Sequence, residues 1–353
     1  DGSHGADWIA VAHPSLLEGV APLADHRTAE GLRTAVADVE DVYDEFTAGI
    51  PDPSALRAFV ARARAAWAVP PRYLLLAGDA THDPHQYLGG AAALVPAALV
   101  QTETVWTASD TWFAAVEGDD LFPDLAVGRI PAGDPAELAA AIDKILTRET
   151  EDAGGSWRRR VSLVADDPDA TGDFVAASET LAGLYPEGWD LERLYLPDHG
   201  TSALRARIAA AFAQGRWLVN YQGHGSMTFW AQENVFSDAT IDSLGSTGRF
   251  PIVTVMDCMN GLFQSPIADC LGEKALLVPG RGAAAFWGST GLVEPGPQEW
   301  INEEFTRIAV RDRTATRIGD AIGMAYVRGW AGPRSDDVVR SWVLLGDPAM
   351  RME

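Results

Sequence analysis

Phe250-Pro251-Ile252-Val253-Thr254-Val255-Met256, running into Asp257-Cys258-Met259-Asn260-Gly261, is the stretch that decides the fold. It is apolar, β-branched and unbroken by charge, the pattern of a strand buried on both faces of a parallel sheet. A second run, Arg216-Trp217-Leu218-Val219-Asn220-Tyr221-Gln222, stops at Gly223-His224-Gly225-Ser226. Glycine on both sides of His224 lets the chain bend sharply and leaves room beside the imidazole. Ligands of open α/β sheets bind outside the carboxyl ends of the strands, so two neighbouring parallel strands would bring a thiol and an imidazole to one rim.

That pairing has a chemical reading. A thiol is only partly ionised near neutral pH, and a nearby imidazole or helix N-terminus raises the fraction of thiolate able to attack a carbonyl. Cys258 is then a nucleophile and His224 its general base and acid. The backbone N–H groups of Gly225 and Cys258 are candidates to hold the tetrahedral oxyanion. A lone buried cysteine is usually a small hydrophobe. The two residues together at paired strand ends favour catalysis.

Around these positions the chain resembles a known family. Tyr221-Gln-Gly-His-Gly-Ser226 and Asp257-Cys-Met-Asn-Gly-Leu-Phe263 resemble the catalytic segments of the gingipain-like cysteine peptidases (peptidase family C25) of the caspase-like clan. Pro71-Arg-Tyr-Leu-Leu-Leu-Ala-Gly-Asp-Ala80, Ser109-Asp-Thr-Trp-Phe113 and Gly118 to Arg129 are similar to the family's earlier blocks. Gly282-Ala-Ala-Ala-Phe-Trp-Gly-Ser-Thr290 and Leu345-Gly-Asp-Pro348 are similar to its later strand and closing segment, so the likeness covers nearly the whole chain.

The resemblance implies a caspase-like, gingipain-like α/β fold of two subdomains, with mostly parallel central sheets flanked by helices. It implies Cys258 as nucleophile, His224 as base and acid, and a carboxylate at the end of an earlier strand that orients the histidine. Val161-Ser-Leu-Val-Ala165 ends in two candidates, Asp166 and Asp167, of which we take Asp167. Both could instead cap the turn before Pro168. Members that cut after Arg or Lys carry an acid in the S1 pocket, and Asp173 is placed for it. Asp173 could equally be the N-cap of the amphipathic stretch Phe174 to Tyr185. Arginine-cutting members place a tryptophan over that pocket, whereas Gly291 to Pro297 has none before Trp300 and offers Glu294 as a second acid. Gln222, Trp287 and Ser289, in the matching segments, complete the expected substrate-binding set with Asp173 and Glu294. The expectation is a cysteine endopeptidase, secreted or at a bacterial cell surface, cutting after Arg or Lys through an acyl-enzyme. A sortase-like transpeptidase using the same pair, or a non-catalytic interaction module, are the alternatives.

Composition frames this reading. The 353 residues carry 27 Lys+Arg against 50 Asp+Glu, a formal net charge of −23 that opposes nucleic acid and anionic membranes and attracts basic protein or peptide substrates. No stretch nears the roughly 20 apolar residues that span a bilayer, and no signal peptide stands at Asp1. With only Cys258 and Cys270 there is no disulfide framework and no zinc spacing, and Cys270 reads as a buried free thiol in a helix from Pro266 to Leu277. No cofactor is needed for the chemistry. Gingipain-like enzymes bind structural calcium, for which Asp79, Glu117, Asp119, Asp120 and Asp124 offer oxygen ligands without EF-hand spacing. His82 and His85 read as turn residues. The charged, glycine-containing stretch Glu149 to Ser156 marks a linker, dividing the chain into an N-terminal α/β unit (1–150) and a catalytic unit (151–353). Oligomeric state is not legible.

Overall fold

Each apolar run quoted above forms a strand. The structure, a computed structural model, describes residues 4–90, 92–150, 154–246, 248–332 and 335–353. Numbered along the chain, the strands of the first unit are β1 (Trp8–Ala12), β2 (Thr34–Asp38), β3 (Tyr73–Ala77), β4 (Leu99–Gln101), β5 (Trp106–Ala108) and β6 (Ala126–Ile130). There follow β7 (Arg160–Ala165), β8 (Asp190–Tyr195), β9 (Leu218–Gln222), β10 (Gly225–Ser226), β11 (Phe229–Trp230), β12 (Phe236–Ser237), β13 (Ile252–Met256), β14 (Ala285–Ser289) and β15 (Trp342–Leu345).

Ten of these make one sheet in the order β2-β1-β3-β6-β15-β14-β13-β9-β7-β8. All its pairings are parallel except β14 with β15. The two units therefore share a continuous sheet, joined through the C-terminal strand β15. Because β15 runs with β6 but against β14, the carboxyl ends of the first unit's strands and of the second unit's strands lie at opposite rims. β4–β5 form a hairpin and β10–β12 a small antiparallel sheet beside the main one.

Helices on both faces bury the strands, which is why the runs are apolar without alternation. Trp8, Ala10, Tyr73 and Leu75 face a core that extends under the whole sheet, while Ile9, Val11, Leu74 and Leu76 face a second core confined to the first unit. Aspartates start several helices as expected of N-caps: Asp38 accepts from Glu40 N, and Asp52, ahead of Pro53, accepts from Ser54 N.

Two buried arginines explain motifs that are not catalytic. Arg129 bridges Asp110 (2.8 Å) and the carbonyls of Gly78, Val95 and Pro96, and lies 4.6 Å over the ring of Phe263. Arg27 pairs with Asp347 of the closing segment (2.6 Å) and with Glu149 (2.9 Å). Glu149 thus belongs to the end of the helix Pro135–Thr150 and is buried, while residues 151–153 of the expected linker lie outside the described residues. The expected helix from Pro266 is also shorter, Leu271–Leu277, with Cys270 buried and free at its N-cap. Among the described residues no helix is long and apolar enough to cross a membrane.

Candidate active site

Strand register brings the chemistry together. Gln222 on β9 pairs with Met256 on β13 on one side and with Ala165 on β7 on the other. His224 and Cys258 each stand two residues beyond that aligned row, and Asp166 one beyond, on strands spaced about 4.8 Å apart. Close packing fixes the turns. A Cβ on Gly223 would lie 2.4 Å from the Cβ of Asp166, and one on Gly225 would lie 2.0 Å from Asp257 Oδ2. The nucleophile turn takes a left-handed residue, Met259 (φ 65°), and is clamped by Met259 N to Gly291 O, Gly261 N to Ser289 O, and the Asn260 amide to the Ser226 carbonyl.

His224 is held from the end of β7, but not by Asp167. Its Nε2 lies 2.9 Å from Asp169 Oδ2 and 3.3 Å from Thr171 Oγ1, while Phe174 packs edge-on at 5.3 Å. Asp169 is itself fixed by an Asx turn, accepting from the Thr171 amide (2.7 Å) and hydroxyl (2.6 Å). The Thr171 hydroxyl and amide, then His224, hold the Asp169 carboxyl well below the usual carboxylate range. With Nε2 engaged, Nδ1 is the ring nitrogen open to a thiol. Asp167 corrects the expectation: its side chain is exposed, and it donates its backbone N–H to Asp166 Oδ1. Asp166 serves the backbone, accepting from His224 N at 3.1 Å, and burial pushes its carboxyl up to about 6.

Cys258 is half-buried. Its thiol points at the carbonyl of Val293 (3.8 Å), and burial raises its pKa above the ordinary thiol value, with Asp257 and Glu294 adding to the shift. A shift in this direction favours the thiol form of Cys258 over the thiolate. Asp257, just before it, is 1% exposed, and neither of its oxygens has a partner among the described residues; burial raises its pKa well above the carboxylate range.

Cys258 and His224 line one cleft of about 1010 Å³. Its floor includes Gln222, whose amide donates to Ser178, and its walls come from Thr171 and Phe174, from 101–104 of the β4–β5 hairpin, and from 292–299 after β14. Trp330 and 335–340 close the far side. The lining is acidic: Glu103, Glu294, Glu299, Asp336 and Asp337 face one arginine, Arg340. Asp336 pairs with Arg340, and Asp337 accepts from the backbone N–H of Glu103, which leaves the carboxylates of Glu103, Glu294 and Glu299 without an ion pair among the described residues. Burial, with Glu303 and Asp173 nearby, raises the pKa of Glu299.

Several expected substrate contacts lie elsewhere. Asp173 is the N-cap of the helix Phe174–Ala182, accepting from Ala176 N, and it lines a shallow neighbouring pocket rather than the main cleft. Trp287 is fully buried against Phe305 and Tyr326, because β14 lies inside the sheet with neighbours on both edges. Ser289 is buried too, its hydroxyl donating to Gly291 O and accepting from Gly291 N to hold the loop over the nucleophile turn. Gln222 and Glu294 do line the cleft. Asp169, Thr171, Glu299 and Trp330 were not anticipated; the cleft's tryptophan comes from beyond the helix Ile318–Gly329, not from Trp300. The acids suggested for calcium have protein partners of their own. Asp124 accepts from the amides of Val116 and Glu117, Asp120 from Phe122 N, Asp79 from Ala80 N, and Glu117 pairs with Arg64.

Residues 2–353 match the profile of peptidase family C25. Lys-gingipain HG66 of Porphyromonas gingivalis is 25% identical over 189 residues, 52% of this chain and 10% of that protein. Gingipain R2 of the same species is 24% identical over 351 residues, 94% of this chain and 44% of that protein. The chain thus spans less than half the length of these relatives. The crystal structure of the Arg-specific cysteine proteinase gingipain R superposes with a TM-score of 0.83 at 21% identity, covering 99% of this chain and 79% of that one, a likeness of fold.

Proposed function

Because this chain belongs to peptidase family C25, we propose that it is a cysteine endopeptidase working through Cys258 and His224 and cutting after a basic residue. One observation carries the reading: the thiol and the imidazole stand at in-register ends of adjacent parallel strands and line one acidic cleft. His224 Nδ1 takes the proton of Cys258, the sulfur adds to the scissile carbonyl carbon, and the amide N–H groups of Gly225 and Cys258 meet the oxyanion. The imidazolium returns the proton to the leaving amine as the C–N bond breaks. Water, deprotonated by the same imidazole, then hydrolyses the thioester. A thiol form favoured at rest suits this order, with deprotonation coupled to substrate arrival.

The basic preference is supported by Glu294 and Glu299, which have no cation of their own in the cleft; a guanidinium or ammonium would supply one. Asp173, committed to its helix, is the weaker candidate.

The test is hydrolysis of fluorogenic peptides ending in Arg, Lys, Leu or Asp, under reducing conditions with calcium, by the wild type, Cys258→Ala, Glu294→Gln and Glu299→Gln. The expected result is cleavage after Arg or Lys, abolished in Cys258→Ala and reduced about tenfold in each glutamine variant relative to Leu peptides, near the lower end for a charge-assisted hydrogen bond. Cleavage only after apolar residues would overturn the basic preference, and undiminished cleavage by Cys258→Ala would overturn the mechanism.

A further inference from the structure

Asp257 stands immediately before the nucleophile, and the chemistry above gives it no part. Its carboxyl lies under the turn that carries the proposed oxyanion donors. A Cβ placed on Gly225 would sit 2.0 Å from its Oδ2 and 2.4 Å from its Cγ, so Gly225 packs directly on the carboxyl group. Cys258 follows it along the chain. Asp257 is 1% exposed, and no donor among the described residues reaches either oxygen.

A buried carboxylate without a donor is strongly disfavoured against its protonated form. The groups around it offer no compensation. From β9 comes Tyr221, a neutral phenol whose hydroxyl donates to His224 O; beyond it, at the end of β7, stands Asp166, itself an acid. From the turn after β9 comes His224, whose Nε2 is engaged by Asp169. Along its own segment comes Cys258, which Glu294 also faces from the loop after β14. Apart from His224 when it is protonated, none of these is a cation.

We infer that Asp257 is a positioning residue that works as the neutral carboxylic acid, seating Gly225 against the nucleophile turn without a negative charge behind the oxyanion, and that its ionisation silences the site. The inference rests on the Cys258–His224 reading of the cleft. Its consequence is an alkaline loss of activity set by a carboxyl group: once ionised, Asp257 opposes both the thiolate and the oxyanion that forms from it. A carboxylate bound to donors, as at Asp166, would not behave in this way.

Asp257→Asn keeps the shape and carries no charge at any pH. The first readout is the infrared difference spectrum between wild type and variant at neutral pH, where the wild type is expected to show a protonated carboxyl band that the variant lacks. The second is the pH profile of Cys258 alkylation by iodoacetamide and of kcat/KM on a peptide substrate. The ratio of alkaline to neutral rates is expected to be about tenfold higher in the variant, the effect of one charge a few ångströms from the reacting atoms. Superimposable profiles, or no carboxyl band lost, would overturn the inference. Asp257→Ser replaces the asparagine variant if that one does not fold. Should the wild type hydrolyse no peptide, the peptidase reading fails alone, because the infrared band and the alkylation profile still decide the state of Asp257.

Discussion

Removing the carboxylate of Asp169 tests how His224 is held, and the structure sets the size of the effect. The contact is short, 2.9 Å, but the two side chains are 50% and 43% exposed. Exposed pairs of this kind are weakened by solvent screening, whereas a buried triad carboxylate is worth about 10⁴ in rate. So exposed a contact should matter little, and Asp169→Ala should lower kcat/KM only a few-fold. The loss should shrink in about 1 M salt, where screening acts over roughly 3 Å. Asp167→Ala, by contrast, should leave kcat/KM where it is, since that side chain points to solvent. The assay is kcat/KM on an arginyl fluorogenic peptide at low and high salt for wild type and both variants, normalised to titrated thiol. A loss beyond about 100-fold that salt does not relieve, the behaviour of a buried triad acid, would refute the reasoning from exposure. So would a larger loss at Asp167 than at Asp169.

Other outcomes follow from the same geometry. Cys258, donating to the Val293 carbonyl with its pKa raised by burial, should react with iodoacetamide more slowly than a free cysteine peptide at mildly acidic pH; rapid acid alkylation read by mass shift would contradict a resting thiol. Lys144 gives its ammonium to the carbonyls of Ala275, Val278 and Arg281, each at 2.9 Å, so Lys144→Met in a Cys258→Ala background should cost about 3 kcal/mol in urea unfolding, about 1 per lost bond. Asp166, pushed up to about 6 in the fold, keeps a proton that the unfolded chain has already released between about pH 4 and 6; wild-type stability should therefore fall as pH rises through that window, and Asp166→Asn should lack the slope. Unfolding midpoints at half-unit pH steps in the same Cys258→Ala background compare the two.

What the sequence carried and what it hid divide along a physical line. Strands β9 and β13 were legible because burial on both faces removes polar residues, and their ends were legible because glycines crowd the turns that follow. The helix-starting role of Asp173 was open in the sequence and is settled by its bond to Ala176 N, a local interaction. Trp287 was misplaced because an aromatic residue near a strand end reads the same whether the strand is central or at an edge; its burial follows from β15 pairing along β14, a contact between residues more than 50 apart. The choice among Asp166, Asp167 and Asp169 was hidden for another reason. Three aspartates crowd four positions, and the strand end alone does not say which one turns toward the next strand. Asp169-Ala170-Thr171 carries an Asx-turn pattern, and that was the signal available for the residue that stands against His224.

The least legible feature, the antiparallel seam between β14 and β15, also explains why the first unit takes part in the cleft. Reversal at the seam sets the carboxyl ends of β9 and β13 at the rim where β6 begins, while β3 ends at the opposite rim. The chain between β3 and β6 must therefore cross the molecule from one rim to the other. On that crossing it forms the β4–β5 hairpin, which Thr107 and Thr290 fasten to the loop after β14 through bonds of 2.7 Å to Thr290 O and Ala108 O. The Glu103 amide fastens the hairpin tip to Asp337. An all-parallel sheet would have placed the end of β3, rather than the start of β6, at the rim of His224 and Cys258. The acids of the far wall are therefore a consequence of one reversed strand, and a substrate in the cleft touches both units at once.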